Sequence, residues 1–365
     1  MKNFTGKKAA VIGATGGLGR AVSTALSIKG CSLVLIGRDT EKLIQLQEEI
    51  KNLTGNTVYL QTVCRFDQYS EWEKAAAETE NSFGIPDFII NTAGTDVRKK
   101  LSLQTEEEIS SQIDINLKGS IFITKAFLPL LLKRGQGEIL HFTSFLDGRL
   151  AFPYYSADVA SRAGLTAFAE SVNREIGSSD IRVALYCPSA ADTEAERPFH
   201  PVWKEMGLVI TSVGRIAEEC LEQLGSTETL RISGGFLNSF FARLNSAFPK
   251  MADMIIMNKY SKILKKYFDS EAEEALGRND LPKNPILLYS GITMIVLSFV
   301  LYALIPAVPF FPVSAEAKGF GVTGLIVSGE ITFWAGLAIA GRPAYEAMKN
   351  HLKTFRDRIF GKKVN

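Results

Sequence analysis

The stretch that decides the fold is Lys8-Ala9-Ala10-Val11-Ile12-Gly13-Ala14-Thr15-Gly16-Gly17-Leu18-Gly19-Arg20. A short apolar run passes Gly13, Gly17 and Gly19 and enters Ala21-Val22-Ser23-Thr24-Ala25-Leu26, whose spacing suits a helix. This reads as a buried strand, a tight turn and a helix start. Glycine lets the turn reach positive φ and lets a phosphate come close to the backbone. The helix start offers that phosphate unpaired N–H groups and the positive end of a dipole. A glycine pattern alone also describes a plain turn. A second strand, Ser32-Leu33-Val34-Leu35-Ile36, follows at the distance of a βαβ unit and favours the phosphate-binding reading.

The 365 residues suffice for an ordinary domain plus an addition. Lys+Arg 41 against Asp+Glu 39 leaves no basic footprint for nucleic acid. Cys31, Cys64, Cys187 and Cys220 lack metal spacing and read as reduced thiols. His141, His200 and His351 suggest neither a metal site nor a triad. The opening is read as free of a secretory signal. Residues 1–270 read as globular, whereas 285–340 are mostly apolar.

Strand signals at 8–13, 32–37, 57–63, 86–91 and 137–143 alternate with helix signals at 17–29, 39–53, 70–83, 105–116 and 117–134. The alternation predicts a Rossmann-like, doubly wound parallel sheet of the α/β class, with ligands at the carboxyl ends of its strands. At the end of the second strand stands Gly37, where an acidic residue would select NAD, followed by Arg38. A guanidinium there suits a 2′-phosphate and so favours NADP over NAD. Asp39 reads as the cap of the next helix. Asn91-Thr92-Ala93-Gly94 closes the fourth strand with small residues suited to a flat ligand. Asn116, between apolar neighbours in a helical stretch, predicts a local break with its side chain bonded to backbone or water.

With these motifs in order, residues 1–200 resemble the short-chain dehydrogenase/reductase family. The resemblance rests on Gly13 to Gly19, Asn91 to Gly94, Asn116, Ser144, and Pro188 with Asp192-Thr193. It implies a nicotinamide cofactor and hydride transfer between carbonyl and alcohol. It also implies a cofactor site of Gly13, Thr15, Gly16, Gly17, Leu18, Gly19, Arg38, Asn91, Ala93, Gly94, Arg162, Pro188 and Thr193. In the family a serine, here Ser144, orients the carbonyl, and a tyrosine donates the proton. A lysine four residues later lowers the tyrosine's pKa, and an asparagine, here Asn116, holds a relay water. Family members also pair through helices matching 105–134 and 156–176, which implies a dimer or tetramer.

The catalytic segment departs from that pattern. In Pro153-Tyr154-Tyr155-Ser156-Ala157-Asp158-Val159-Ala160-Ser161-Arg162, one register puts the tyrosine at Tyr155 and Val159 at the lysine place. The other puts Asp158 at the tyrosine place and Arg162 at the lysine place, and it fits the flanking residues better. An Asp four residues before an Arg on a helix is expected to be ionised, with no proton to give. Arg162 would still hold ribose hydroxyls. The acid would then be Tyr155 or Tyr154, or an Asp158 kept protonated by burial. Cys64 also stands where the family often has an Asp near the adenine, and Ser189 replaces a usual Gly.

Beyond residue 194, Arg197 to Trp203 reads as a substrate-covering loop. The run 236–268, with Phe240, Phe241, Phe248, Met251, Ile255 and Ile256 among Lys259, Lys262, Lys265 and Lys266, reads as basic amphipathic helices broken near Pro249. It suits a membrane surface or a packed face with solvated lysines. Pro285 to Ile305 and Phe320 to Ala340, the latter interrupted by Glu330, read as a transmembrane hairpin. The basic tail predicts that both termini are cytoplasmic. The expected divisions are 1–235 nucleotide-binding, 236–283 membrane-proximal, 284–341 hairpin and 342–365 tail. The whole reads as a membrane-anchored NADPH-dependent reductase of a hydrophobic or lipid-like carbonyl. In layout it resembles 3-ketosphinganine reductases. The competing reading is a catalytically impaired nucleotide-binding sensor or scaffold.

Overall fold

The computed structural model describes residues 2–143, 150–177, 179–233, 250, 253, 256–269, 285–310, 312–314 and 316–335. The chain divides into two compact units, Met1–Leu276 and Gly277–Asn365.

The first unit alternates β1 (Lys8–Ile12), α1 (Gly17–Ile28), β2 (Ser32–Gly37), α2 (Thr40–Thr54), β3 (Val58–Thr62), α3 (Tyr69–Ser82) and β4 (Phe88–Asn91). It continues through α4 (Glu106–Gln112), α5 (Ser120–Arg134), β5 (Gln136–Phe142), α6 (Ser156–Ile176), β6 (Asp180–Cys187), α7 (His200–Glu205), α8 (Val213–Gln223), β7 (Leu230–Ile232) and α9 (Ser261–Phe268). The seven strands lie in the order β3-β2-β1-β4-β5-β6-β7, and every pairing is parallel. This is the Rossmann-like sheet read from the sequence. Strand order reverses between β1 and β4, which opens a crevice at their carboxyl ends.

Both faces of the sheet are covered, so the inner strands are apolar almost throughout. Val11, Leu33 and Leu35 pack with Val22, Leu26 and Ile216 on one face. Ile12, Val34, Ile36 and Ile89 pack with Trp72, Ile123, Phe127 and Leu165 on the other. Asp39 caps α2 by accepting from the Lys42 amide, and Gly55 ends that helix in the left-handed region. The predicted break at Asn116 is present: Ile113–Gly119 forms a π-helical turn between α4 and α5. Among the described residues, the helical run long and apolar enough to cross a membrane is Glu106–Arg134. It forms part of this domain's wall, with Ile123, Phe127 and Leu131 buried against the sheet.

The segment predicted to be a covering loop is helical, a 3-10 turn at Arg197–Phe199 followed by α7. The basic amphipathic run is described only over 256–269 and at 250 and 253. There Leu264 is fully buried against Val202, Trp203 and Met206, while Lys262 and Lys265 are exposed. Phe240, Phe241, Phe248, Met251 and Ile255 lie outside the described residues, as does the 342–365 tail.

In the second unit, α10 (Pro285–Leu304) is followed by a 3-10 turn (Ile305–Phe310) and a helical run over residues 316–335. Glu330, the carboxylate inside the second apolar run, is bonded on both oxygens. Tyr302 Oη donates to Oε1 and Trp334 Nε1 to Oε2, each at 2.9 Å.

At the amino end of the sheet, Asp87 binds the Lys8 amide at 2.9 Å, Lys7 Nζ at 3.0 Å and Arg134 Nη2 at 2.5 Å. Burial works to raise this carboxyl, but the Lys8 amide and the two cations outweigh it and hold it below the usual carboxylate range. Its stabilisation is therefore full above about pH 4 and is lost as pH falls through its lowered folded value. Asp87→Asn is expected to cost about 1–3 kcal/mol at neutral pH. Thermal melts across pH should show that gap closing in acid.

Candidate active site

A cleft of about 1020 Å3 runs along the carboxyl ends of the strands. At one end it is lined by Thr15, Gly16, Gly17, Leu18 and Gly19, then by Thr92, Ala93, Gly94, Pro188 and Thr193. The geometry explains the glycines. Gly13 has φ +73°, and a Cβ there would sit 2.8 Å from the Ala93 nitrogen; one on Gly17 would sit 2.8 Å from the Thr193 methyl carbon. Gly16, the N-cap of α1, supplies no side-chain cap, and the first turn of α1 holds no acidic residue. The helix start thus keeps its amides and dipole for an anion from outside. An uncapped helix end with glycines pressed against the β4 and β6 loops fits the pyrophosphate of a dinucleotide.

The outer edge carries Arg20, Lys42 and Gln45. Arg20 pairs with Glu49, and Lys42 with Asp39 at 3.4 Å. Arg38 is exposed just beyond β2 and is not part of the lining, and Cys64 is exposed after β3.

Asn91 and Asn116 are fully buried and support the cleft from below. Asn116 Oδ1 accepts from the Thr95 amide at 2.9 Å, and its Nδ2 donates to the Thr95 carbonyl at 2.7 Å. Nδ2 also lies 3.2 Å from Asp158 Oδ1. The Asn116 carbonyl, freed by the π turn, accepts from Ser120 Oγ at 2.8 Å. Asn91 Nδ2 reaches Ser120 Oγ at 3.1 Å and His141 Nδ1 at 3.2 Å. His141 Nε2 lies 2.8 Å from Thr124 Oγ1, which donates to the Ser120 carbonyl. That pattern makes Nε2 the protonated nitrogen of His141. Burial holds this histidine neutral, with its pKa lowered to about 3.

Asp158 and Arg162 share one face of α6. Arg162 Nε donates to Asp158 Oδ1 at 3.1 Å, and its Nη1 to the Phe142 carbonyl at 3.2 Å. Both side chains are buried, at 2% and 7% exposure, so the pair is an internal salt bridge. The Arg162 guanidinium also presses on Gly94, where a Cβ would lie 2.8 Å from Nη2. Asp158 and Arg162 line the cleft, and so do Tyr155 and Val159 of the other register. Ser144 lies outside the described residues.

The far end of the cleft carries the apolar Phe152, Trp203, Met206, Leu208 and Leu264. Tyr155 sits there just before α6, its hydroxyl buried and without a hydrogen-bond partner among the described residues. Burial pushes its phenol well above the usual tyrosine range. Tyr154, immediately before it, is the one described non-glycine residue at positive φ, +76°. Its hydroxyl donates to Asp269 Oδ1 at 2.9 Å, which Lys100 Nζ also meets at 2.8 Å. Sequence reasoning missed Asp96, Arg98 and Glu196, which meet across this end of the cleft. Arg98 stands in a polar stretch, Thr95 to Lys100, that looks like any solvated loop.

The profile of the short chain dehydrogenase family matches residues 7–201. Dehydrogenase/reductase SDR family member 7B of Mus musculus is 32% identical over 185 residues, which cover 50% of this chain and 57% of the mouse protein. An uncharacterized oxidoreductase of Staphylococcus epidermidis is 29% identical over 193 residues, covering 53% of this chain and 81% of that one. Among solved structures, an alcohol dehydrogenase from Thermococcus sibiricus complexed with 5-hydroxy-NADP is 28% identical with a TM-score of 0.55, covering 62% of this chain and 95% of that one. L-Sorbose reductase from Gluconobacter frateurii, complexed with NADPH and L-sorbose, matches in fold with a TM-score of 0.58 at 18% identity, covering 64% of this chain and 97% of that one. The sheet order, the glycine-lined cleft and the matched span lead to one conclusion: the chain belongs to the short-chain dehydrogenase family.

Proposed function

We propose that the protein is an NADP(H)-dependent oxidoreductase that reduces a carbonyl on a hydrophobic, lipid-like substrate. The observation that carries this reading is one cleft lined by the uncapped start of α1 and by Tyr155, beside Phe152, Trp203, Met206, Leu208 and Leu264. Thr15 to Gly19 would hold the pyrophosphate. Ala93, Gly94, Pro188 and Thr193 would bound the nicotinamide half, and Arg162 would hold its ribose. NADP is favoured by Arg38 in place of an acidic selector and by Arg20 and Lys42 at the outer edge. The cofactor carried by the Thermococcus relative points the same way.

A bound, reduced nicotinamide supplies the hydride, and the chain supplies the proton. Asp158 is engaged by Arg162 and Asn116 and serves to fix Arg162. Tyr155 is the donor, because its O–H is uncommitted among the described residues and the residue lines the same cleft. Phe152, Trp203, Met206, Leu208 and Leu264 support an apolar substrate body. The run 284–341 anchors the chain in a membrane as a hairpin, with the nucleotide-binding domain and the basic tail, 342–365, on the cytoplasmic side. Pairing of Glu330 with Tyr302 and Trp334 supports that reading, because a carboxylate in a span needs internal partners. The closed Asp158–Arg162 pair favours a second reading, a nucleotide-binding platform without turnover.

NADPH binding, followed by fluorescence, is expected for the native full-length protein in detergent and to be lost in Gly17→Val, whose side chain would strike Thr193. NADPH oxidation against ketones and long-chain 3-keto lipids is expected to proceed with the native chain. A native chain that binds NADPH but stays silent, while Asp158→Tyr/Arg162→Lys turns over, would overturn the reductase reading in favour of the platform.

A further inference from the structure

Arg98 is a buried cation that the cofactor site does not use. It follows β4 in the loop that Asn116 fastens through Thr95. Its side chain is 7% exposed, and Nη2 alone carries both of its ion pairs, to Asp96 at 2.6 Å and Glu196 at 2.5 Å. Phe199 lies under the guanidinium at 3.8 Å from the ring centroid, and Trp203 at 5.3 Å. Trp203 Nε1 in turn holds Glu196 Oε2 at 3.0 Å. This cage fixes the plane of the guanidinium. Yet Nε and Nη1 have no partner among the described residues and are shut off from water.

Two idle donors on a buried charge are costly. A third uncommitted group is carried by a neighbouring ring. The Tyr155 ring centroid is 5.9 Å from the guanidinium carbon, and the Tyr155 hydroxyl is buried and without a partner among the described residues. Charged groups bearing on Tyr155 are Arg98, Asp96, Glu196 and Asp158. Only the arginine favours the phenolate.

We propose that Arg98 is the positioning cation of Tyr155, with its Nε and Nη1 donors receiving the phenolate oxygen as the proton leaves. The proposal rests on the reading of Tyr155 as proton donor. A bound, reduced nicotinamide would supply a hydride with its electron pair to the carbonyl carbon, the carbonyl π pair passing to oxygen. The Tyr155 O–H bond breaks, its proton completes the alcohol, and the phenolate rests on Arg98 until water reprotonates it. The arrangement places the cation on the β4 loop, four residues after Gly94, rather than on α6. It also explains why carboxylates flank Arg98 on Nη2 alone: they hold the guanidinium and leave its remaining edge to the phenol.

The test replaces Tyr155 in the full-length protein with 2,3,5,6-tetrafluorotyrosine, an acidic phenol, and follows its ionisation by 19F NMR. Arg98→Gln is expected to raise the midpoint by at least about one pH unit, and Arg98→Lys to restore most of that shift. If Arg98→Gln does not fold, Glu196→Gln, which removes an opposing charge, is expected to lower the midpoint. A midpoint unmoved in Arg98→Gln, or in Glu196→Gln where the former is unfolded, overturns the proposal and leaves Arg98 a structural group. The titration needs no substrate. Failure of the reductase reading therefore shows separately, as NADPH binding without turnover.

Discussion

The buried salt bridge between Asp158 and Arg162 constrains the rest of the site. The i,i+4 spacing on α6 brings the two side chains together, and the burial of both makes the bond obligatory. Removing one partner of such a pair costs about 3–5 kcal/mol, because the other is left charged and unpaired. The pair is held from below by Asn116, and Asn116 is presented by the π turn between α4 and α5. Behind that turn, Ser120, Asn91, His141 and Thr124 form a continuous buried chain of hydrogen bonds back into the sheet. A neutral His141 keeps this chain free of net charge. Asp158 is thereby tied to the core of the domain and committed to holding Arg162 against Gly94.

That commitment separates the two halves of the cleft. The cofactor half depends on backbone: an uncapped helix end, and glycines whose neighbours leave no room for a side chain. The proposed substrate half depends on side chains brought from the loop after β4, the start of α6, α7 and α9, and among the described residues it holds the unpartnered Tyr155 hydroxyl and the unpartnered Nε and Nη1 of Arg98. On the proposed reading, chemistry that needs a proton falls to the substrate half. The strained Tyr154, tied through Asp269 and Lys100, fixes the backbone on which Tyr155 enters α6.

Much of this was legible in the sequence because it is local. The run from Lys8 to Arg20 carries its strand, turn and helix in thirteen consecutive residues, and Asp39 announces its helix cap. Asn116 betrayed the π turn by being polar where the helix pattern called for apolar. What stayed hidden is long-range. Arg98 acquires its meaning only when Glu196, Phe199 and Trp203 fold over it, about a hundred residues later in the chain. Leu264 reaches the cleft by packing on α7, which no periodicity reveals. The strands β6 and β7 lay beyond the stretch whose alternation was read. Glu330 looked like an interruption in an apolar run, and its partners Tyr302 and Trp334 become visible only once the helices are placed.

The central claim is that the carboxylate at Asp158 positions and the phenol at Tyr155 donates. It is tested most directly by kcat at saturating NADPH for Tyr155→Phe beside Asp158→Asn, on whichever carbonyl substrate the native chain turns over. The account expects Tyr155→Phe to lose about 100-fold or more in kcat while still binding NADPH. Asp158→Asn should act first on the KM for NADPH, through a loosened Arg162. Full kcat in Tyr155→Phe, with activity abolished in Asp158→Asn, would contradict it and make the carboxyl group the acid.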